Sequence, residues 1–146
     1  MGTIKGPAIF LAQFAGDEAP FDTLAGIAGW AAGHGYTGVQ IPAWDSRLFD
    51  LARAAESQDY CDEVKGICAE AGVEVTELAT HMLGQMVAVH PAYDAQFDLF
   101  CPPQVRGAPA RRQQWAAESL MQAARASGRM GLTASPSFTG SLAFPF

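Results

Sequence analysis

Short apolar runs alternate along the chain with longer segments in which apolar residues recur every three or four positions. A short, mostly apolar run is typical of a strand buried on both faces of a parallel sheet, whereas the longer spacing indicates an amphipathic helix. The predicted strands are residues 8–14, 37–41, 73–80 and 132–137. The predicted helices are residues 22–33, 58–71 and 111–127, with a shorter helical turn at 49–54.

Glycines mark each predicted change from helix to strand. Gly33 precedes the second strand, Gly72 precedes the third and Gly131 precedes the fourth. Glycine accepts the left-handed conformation that ends many helices, and Ser57 is a suitable N-cap for the helix over 58–71. Because a strand, a crossover helix and a parallel strand form the right-handed βαβ unit, this repeat predicts an α/β fold with parallel strands.

The repeat predicts part of a (β/α)8 TIM barrel, a fold of eight units in about 250 residues. The chain has 146 residues, so we expect about three and a half βα units. Residues 1–146 are therefore interpreted as the N-terminal part of an incomplete barrel domain. The connection over 81–110 is long enough to predict a functional loop. No glycine-rich phosphate fingerprint follows the first strand, which disfavours a dinucleotide-binding fold.

Charge and composition narrow the expected partners. The net charge is −6, and an acidic protein repels phosphate backbones, so nucleic acid is not an expected partner. No run of about 20 apolar residues is present, so no membrane span is expected. The three cysteines lack C-x-x-C spacing, which favours reduced thiols and a cytoplasmic location. Arg111 and Arg112 begin the third predicted helix and are interpreted as a solvated face.

The active site of a β/α barrel lies at the C-terminal ends of its strands. Glu77, Ala79 and His81 are two residues apart, so they are predicted to share one face, with Glu77 inside the barrel and His81 at its mouth. Gln85 and His90 follow in the long connection. The candidate substrate-binding residues are Gln40, Trp44, Glu77, His81, Gln85 and His90. No catalytic residue is assigned, and the spacing of these residues does not support a complete metal site in this segment.

Several of these candidates also have structural interpretations. A lone histidine at a strand end, such as His81, is often a hydrogen-bonded structural residue, and His90 before a proline fits a structural role better than a functional one. Glu77 could instead bond a buried neighbour, because an interior charge must find a partner. Trp44 and Asp45 either contact a ligand or hold their own loop in place.

Two sequence runs resemble a known family. The run Gly-Tyr-Thr-Gly-Val-Gln-Ile-Pro at 35–42 resembles the second strand of the sugar phosphate isomerase/epimerase family, the xylose isomerase-like TIM barrels. The runs Glu-Leu-Ala-Thr-His at 77–81 and Gly-Gln-Met-Val-Ala-Val-His-Pro-Ala-Tyr-Asp at 84–94 resemble the third strand and following loop of one bacterial subgroup. The resemblance covers the chain but only the first half of the family's domain.

The resemblance implies a sugar or sugar phosphate substrate and a divalent metal ion (Mn, Mg, Co or Zn) in the full-length protein. In the family, carboxylates and a histidine on later strands hold the metal, and acidic residues move a proton next to a sugar carbonyl. By the same resemblance His81 is a mouth residue near substrate. Gln40 stands where many relatives carry Glu, and Ser135 and Pro136 stand where some relatives place a His.

Three hypotheses follow. In the first, the chain is the N-terminal half of a sugar isomerase or epimerase and is inactive alone. In the second, it is a half-barrel binding or assembly module that forms a homo-oligomer or pairs with a separate C-terminal half, because unpaired strand edges invite pairing. In the third, it is a decayed, inactive copy of the enzyme.

Overall fold

The computed structural model describes residues 6–141. Its only sheet within that range is parallel, with the strand order β1-β2-β3. The strands are β1 (Ala8–Phe10), β2 (Gly38–Pro42) and β3 (Glu74–Ala79). The helices are α1 (Leu24–Gly33), α2 (Leu51–Glu56), α3 (Gln58–Ala71), α4 (His81–Gln85), α5 (Asp94–Phe97) and α6 (Pro109–Met130). The prediction of an α/β fold with parallel strands is therefore confirmed.

One face of the sheet carries the main hydrophobic core. Val39 pairs with Val75 and Ile41 pairs with Leu78 across the β2–β3 ladder, and all four side chains belong to this core. Helices α1, α3 and α6 cover them. The helix residues in the core are Leu24, Ile27, Ala28, Ala31, Cys61, Val64, Cys68, Ala126 and Met130. The face of the sheet opposite these helices, called the open face below, carries the intervening side chains.

The predicted helix boundaries are confirmed where capping chemistry is strongest. The Ser57 hydroxyl accepts a hydrogen bond from the Tyr60 backbone N–H at 3.2 Å and begins α3. Gly72, with a φ of 91°, ends the same helix in the left-handed conformation, which a residue with a side chain rarely adopts. The Thr23 hydroxyl caps α1 in the same way, through the Gly26 N–H at 3.2 Å.

The first strand is shorter than predicted. It ends at Phe10, and residues 11–13 form a 3-10 turn in which the Leu11 carbonyl accepts from the N–H groups of Phe14 and Ala15. This turn directs Leu11, which is fully buried, into the main core. The apolar run over 8–14 reflects this burial rather than a continuous strand.

The prediction of a fourth strand over 132–137 is wrong for the residues that the structure describes. The segment passes beside β3 without a ladder, since its only backbone bond there joins the Thr80 N–H to the Pro136 carbonyl at 3.0 Å. Pro136 has no N–H to donate, and a proline inside a strand disfavours a regular ladder. The aromatic end of the chain, which was expected to follow this strand, lies outside the described residues.

The long connection between β3 and α6 is mostly helical. It contains α4, α5 and three short 3-10 turns, Pro91–Tyr93, Asp98–Phe100 and Pro103–Val105. A second, smaller core holds it against α6, which begins at Pro109, two residues earlier than predicted. The buried residues of this second core are Met86, Phe97, Cys101, Val105 and Ala116.

Arg112 corrects the prediction of a solvated face at the start of α6. Its side chain is 2% exposed and binds the carboxylates of Asp94 and Asp98, the second at 2.7 Å. The Asp94 backbone carbonyl accepts a further bond from Arg112 Nη1 at 2.8 Å. Arg111, its neighbour, is exposed as predicted. A charge this deeply buried needs paired acceptors, and Arg112 obtains them by fixing the connection to α6.

Candidate functional site

Two polar side chains are bonded to each other on the open face. Gln40 of β2 pairs with Glu77 of β3, and Gln40 Nε2 donates to Glu77 Oε1 at 2.6 Å. The amide fixes the carboxylate, while Glu77 Oε2 has no hydrogen bond to any described residue and is not buried. Both side chains are half-buried. The pair therefore presents one free carboxylate oxygen at a defined position.

Four rings form a cluster beside this pair. Phe10 pairs with Gln40 in the β1–β2 register and lies edge-on to Trp44 at 6.0 Å and to His81 at 5.6 Å between ring centroids. His81 also contacts Trp44 at 6.5 Å and Phe138 at 5.2 Å. These separations are those of favourable aromatic pairs. Phe138 is 48% exposed and the other three rings are half-buried, so the cluster forms a partly solvated aromatic wall.

The loop that carries Trp44 is held by an ion-pair network. Arg47 donates to both carboxylate oxygens of Asp45 at 2.9 and 2.7 Å and to Asp17 at 2.6 Å. The Arg47 side chain lowers the pKa of Asp45, chiefly through these hydrogen bonds. Asp45 thus holds its own loop in place, as the structural interpretation proposed, and the network links the loops after β1 and β2 beside Trp44.

The segment after α6 carries Phe138, the fourth ring of the cluster, and is held beside β3 by hydrogen bonds. The Thr80 hydroxyl donates to the Pro136 carbonyl at 3.0 Å, and the Ser135 hydroxyl donates to the Leu78 carbonyl at 3.0 Å. The backbone at Phe138 crosses α4 at Gly84, where a Cβ atom would lie 2.0 Å from the Phe138 carbonyl oxygen. Glycine at position 84 therefore permits the close approach that brings Phe138 to His81.

The structure brings four of the six predicted site residues together. Gln40 and Glu77 lie on the open face, each two residues before the end of its strand, and Trp44 and His81 each follow two residues after a strand end. Gln85 is one turn after His81 on α4, and its Oε1 atom is buried without a hydrogen bond.

His90 is placed differently. It is exposed, it accepts a hydrogen bond from the Ala92 N–H at 3.2 Å, and its ring contacts Tyr93 at 6.0 Å. It caps the 3-10 turn Pro91–Tyr93. No contact joins it to the aromatic cluster within residues 6–141.

Phe10 was missed as a site residue, whereas the strand-end rule selects residues 135–138 on the fourth predicted strand, although Phe138 is not among the six candidates. Phe10 was placed inside a strand predicted to continue to residue 14, whereas the strand ends at Phe10. A strand end there would have selected it by the same rule that selected Gln40. Phe138 reaches the site from an irregular segment, and nothing in the periodicity of the sequence indicates that crossing.

The site combines a hydrogen-bond acceptor with a partly exposed apolar surface. Glu77 Oε2 accepts hydrogen bonds, and Glu77 and His81 are both side chains able to carry a proton. Within the described residues, no three His, Cys, Asp or Glu side chains are grouped so that they could hold a metal ion. The divalent ion that the family resemblance implies therefore does not fit a ligand set in this part of the chain.

Comparison with known proteins gives no family for this chain. No protein family matches the sequence, and no curated protein matches it significantly. No helix in the described part of the chain is both long enough and apolar enough to cross a membrane.

Proposed function

We propose that the chain supplies the first β/α units of a sugar isomerase or epimerase of the TIM-barrel type, and that the open face and the aromatic wall bind its sugar. The reaction would move a proton at the carbon next to the sugar carbonyl. No step is assigned to a metal ion, because the described residues lack a ligand set for one.

One observation carries this proposal: a fixed carboxylate and an aromatic wall lie together where parallel strands end. Glu77, held by Gln40, adjoins Phe10 across β2, and Phe10 contacts both Trp44 and His81. In α/β folds, ligands bind outside the carboxyl ends of the strands. The side chains needed to bind a sugar thus converge at the expected edge of the sheet.

The carboxylate of the site matches the hydroxyl groups of a sugar, and its aromatic rings match the apolar C–H face. Sugar C–H groups form an apolar face that gains free energy when it covers partly exposed aromatic rings. Sugar hydroxyls donate to carboxylate oxygens, and a hydrogen bond to a charged group contributes about 1.5–3 kcal/mol. The free Glu77 Oε2 provides such an acceptor on the same face of the sheet as Phe10, with Gln40 between them, and the Phe10 ring contacts Trp44.

The test is sugar binding by the purified chain, read as quenching of tryptophan fluorescence during titration with D-fructose and D-xylose. We expect saturable quenching that Trp44→Phe abolishes and Trp115→Phe retains, because Trp115 packs against the second core. Glu77→Ala should weaken binding about tenfold, which corresponds to 1.4 kcal/mol. Quenching that Trp44→Phe leaves intact, or no saturable binding of either sugar, would refute the proposal.

A second candidate function is assembly, and the sheet edge favours it. Within residues 6–141, β1 pairs only with β2, and Ala8 at its start is exposed. An unpaired strand edge is a template for a strand from another chain. Sedimentation of the chain at micromolar concentration tests this: a stable dimer that Ala8→Pro disrupts would support assembly, and a stable monomer would contradict it.

A further inference from the structure

We propose that this site binds an unphosphorylated sugar or polyol and that it rejects a sugar that carries a phosphate group. This inference rests on the proposed function, because it names the class of sugar that the same site binds. The inference depends on two observations: no described lysine or arginine is bonded to the site residues, and Glu77 is acidic. Phosphate recognition in proteins depends on arginine, lysine or several converging N–H groups.

With one exception, the cationic side chains of the described residues belong to other elements than those that carry the site. Apart from Arg47, each belongs to α2, α3, α6 or the connection over 86–108: these residues are Arg53, Lys65, Arg106, Arg111, Arg112, Arg125 and Arg129. Within residues 6–141, no lysine or arginine makes a hydrogen bond or ion pair with Phe10, Gln40, Trp44, Glu77 or His81. A phosphate placed against these five residues would find no described lysine or arginine already bonded to them.

Arg47 is the cation nearest to the site in sequence, three residues after Trp44. Its guanidinium donates to Asp45 through Nε and Nη2 and to Asp17 through Nη1. The three side chains together carry one net negative charge. Three of the five Arg47 N–H groups are thus bonded to carboxylates. A phosphate that approached Arg47 would meet two acidic side chains beside it, so this cation is a poor anchor for an anionic ligand.

The remaining charge of the site is negative. Glu77 is the acidic side chain on the open face beside the rings, and the whole chain carries a net charge of −6. A phosphate dianion within about 8 Å of the carboxylate is repelled by roughly 1 kcal/mol in water, and salt reduces the repulsion at that distance. Phosphorylation of the ligand should therefore weaken binding by about fivefold at low ionic strength, which is 1 kcal/mol converted at 1.4 kcal/mol per tenfold.

The experiment compares D-fructose, D-fructose 6-phosphate and inorganic phosphate by fluorescence titration of the chain at low and at physiological salt. We expect D-fructose to bind at least threefold more tightly than its 6-phosphate at low salt, and inorganic phosphate not to compete. Glu77→Gln removes the charge at nearly constant shape and should bring the two affinities together. Glu74→Gln, an exposed position at the start of the same strand, is the matched control and should keep the difference.

Equal or tighter binding of the 6-phosphate would overturn the inference while leaving the proposed function in place. Competition by inorganic phosphate would do the same. If neither sugar form binds, the proposed function itself fails and the inference fails with it. A preference for D-fructose that Glu74→Gln removes and Glu77→Gln keeps would also overturn the inference, because the repulsion would then come from another part of the surface.

Discussion

Replacing Arg112 tests whether the buried ion-pair cluster stabilises the connection between β3 and α6. Arg112→Ala removes the guanidinium that binds the carboxylates of Asp94 and Asp98 and the Asp94 carbonyl. Breaking a buried ion pair by deleting one partner costs about 3–5 kcal/mol. Here the two acidic side chains remain 28% and 22% exposed, so water can partly replace the lost donors. We therefore expect the low end of that range, about 3 kcal/mol.

This loss is large for a domain of this size, whose free energy of unfolding is about 5–15 kcal/mol. Urea denaturation followed by circular dichroism is the assay. With a slope of about 1.5–2 kcal/mol per molar, the midpoint should fall by about 1.5–2 M. Hydrogen exchange should also rise first in the connection over 86–108, because that segment depends on Arg112 for its link to α6.

Arg111→Ala is the matched control, because Arg111 is the adjacent residue on the same helix and is exposed. We expect it to change the free energy of unfolding by less than about 0.5 kcal/mol. Arg112→Lys should recover only part of the loss, because an ammonium cannot donate in the planar geometry of a guanidinium. If Arg112→Ala and Arg111→Ala are equally stable, Arg112 does not fix the connection in solution.

Three further predictions concern other parts of the chain. Gly84→Ala should destabilise the fold by about 1–3 kcal/mol in urea denaturation, since its Cβ would meet the Phe138 carbonyl at 2.0 Å, whereas Gly66→Ala in open space should be neutral or stabilising; equal effects would contradict this. Asp45→Asn should cost stability at pH 7 but not near pH 2: the lowered Asp45 pKa stabilises the fold above its ordinary value of 3.8, and this is lost as pH falls through the folded value. An equal cost at both pH values would be inconsistent with that linkage. All three thiols should resist labelling by Ellman's reagent at pH 8 until urea is added, because all are buried and burial raises the pKa of Cys68 to about 11; rapid labelling of the native chain would contradict their burial.

The sequence predicted the regular parts of this fold because local signals determine them. Ser57 and Gly72 begin and end α3 through backbone chemistry that depends only on residue type. Val39 and Ile41 alternate with Gln40 as expected of a strand with one face in a core. The apolar run over 37–41, which ends before Pro42, is likewise sufficient to predict Gln40 near the end of a strand.

The failures arise where tertiary contacts outweigh local pattern. The segment over 132–137 follows a helix that ends in glycine, as the earlier strands do, but Pro136 and the hydroxyl bonds of Ser135 and Thr80 hold it beside β3 without a ladder. An arginine near the start of a helix, such as Arg112, usually faces water. Only the tertiary fold brings Asp94 and Asp98 close to it. Contacts between residues this far apart leave no periodic signal in the chain.

The position of Glu77 shows how a local irregularity determines the site. The register shifts between Val39 and Gln40, so that Val39 faces Val75 while Gln40 faces Glu77, and Thr76 is the extra residue of a bulge. With strict alternation, Glu77 would share a face with Val75 and would enter the hydrophobic core unpaired, at a cost of several kcal/mol.

The bulge removes that conflict. It turns Thr76 and Glu77 to the open face and leaves Leu78 to join Val75 in the core. It also depends on Gly38, because a Cβ there would lie 2.6 Å from the Thr76 methyl group. The glycine of the second-strand motif thus supports the bulge, and the bulge presents Glu77 to Gln40.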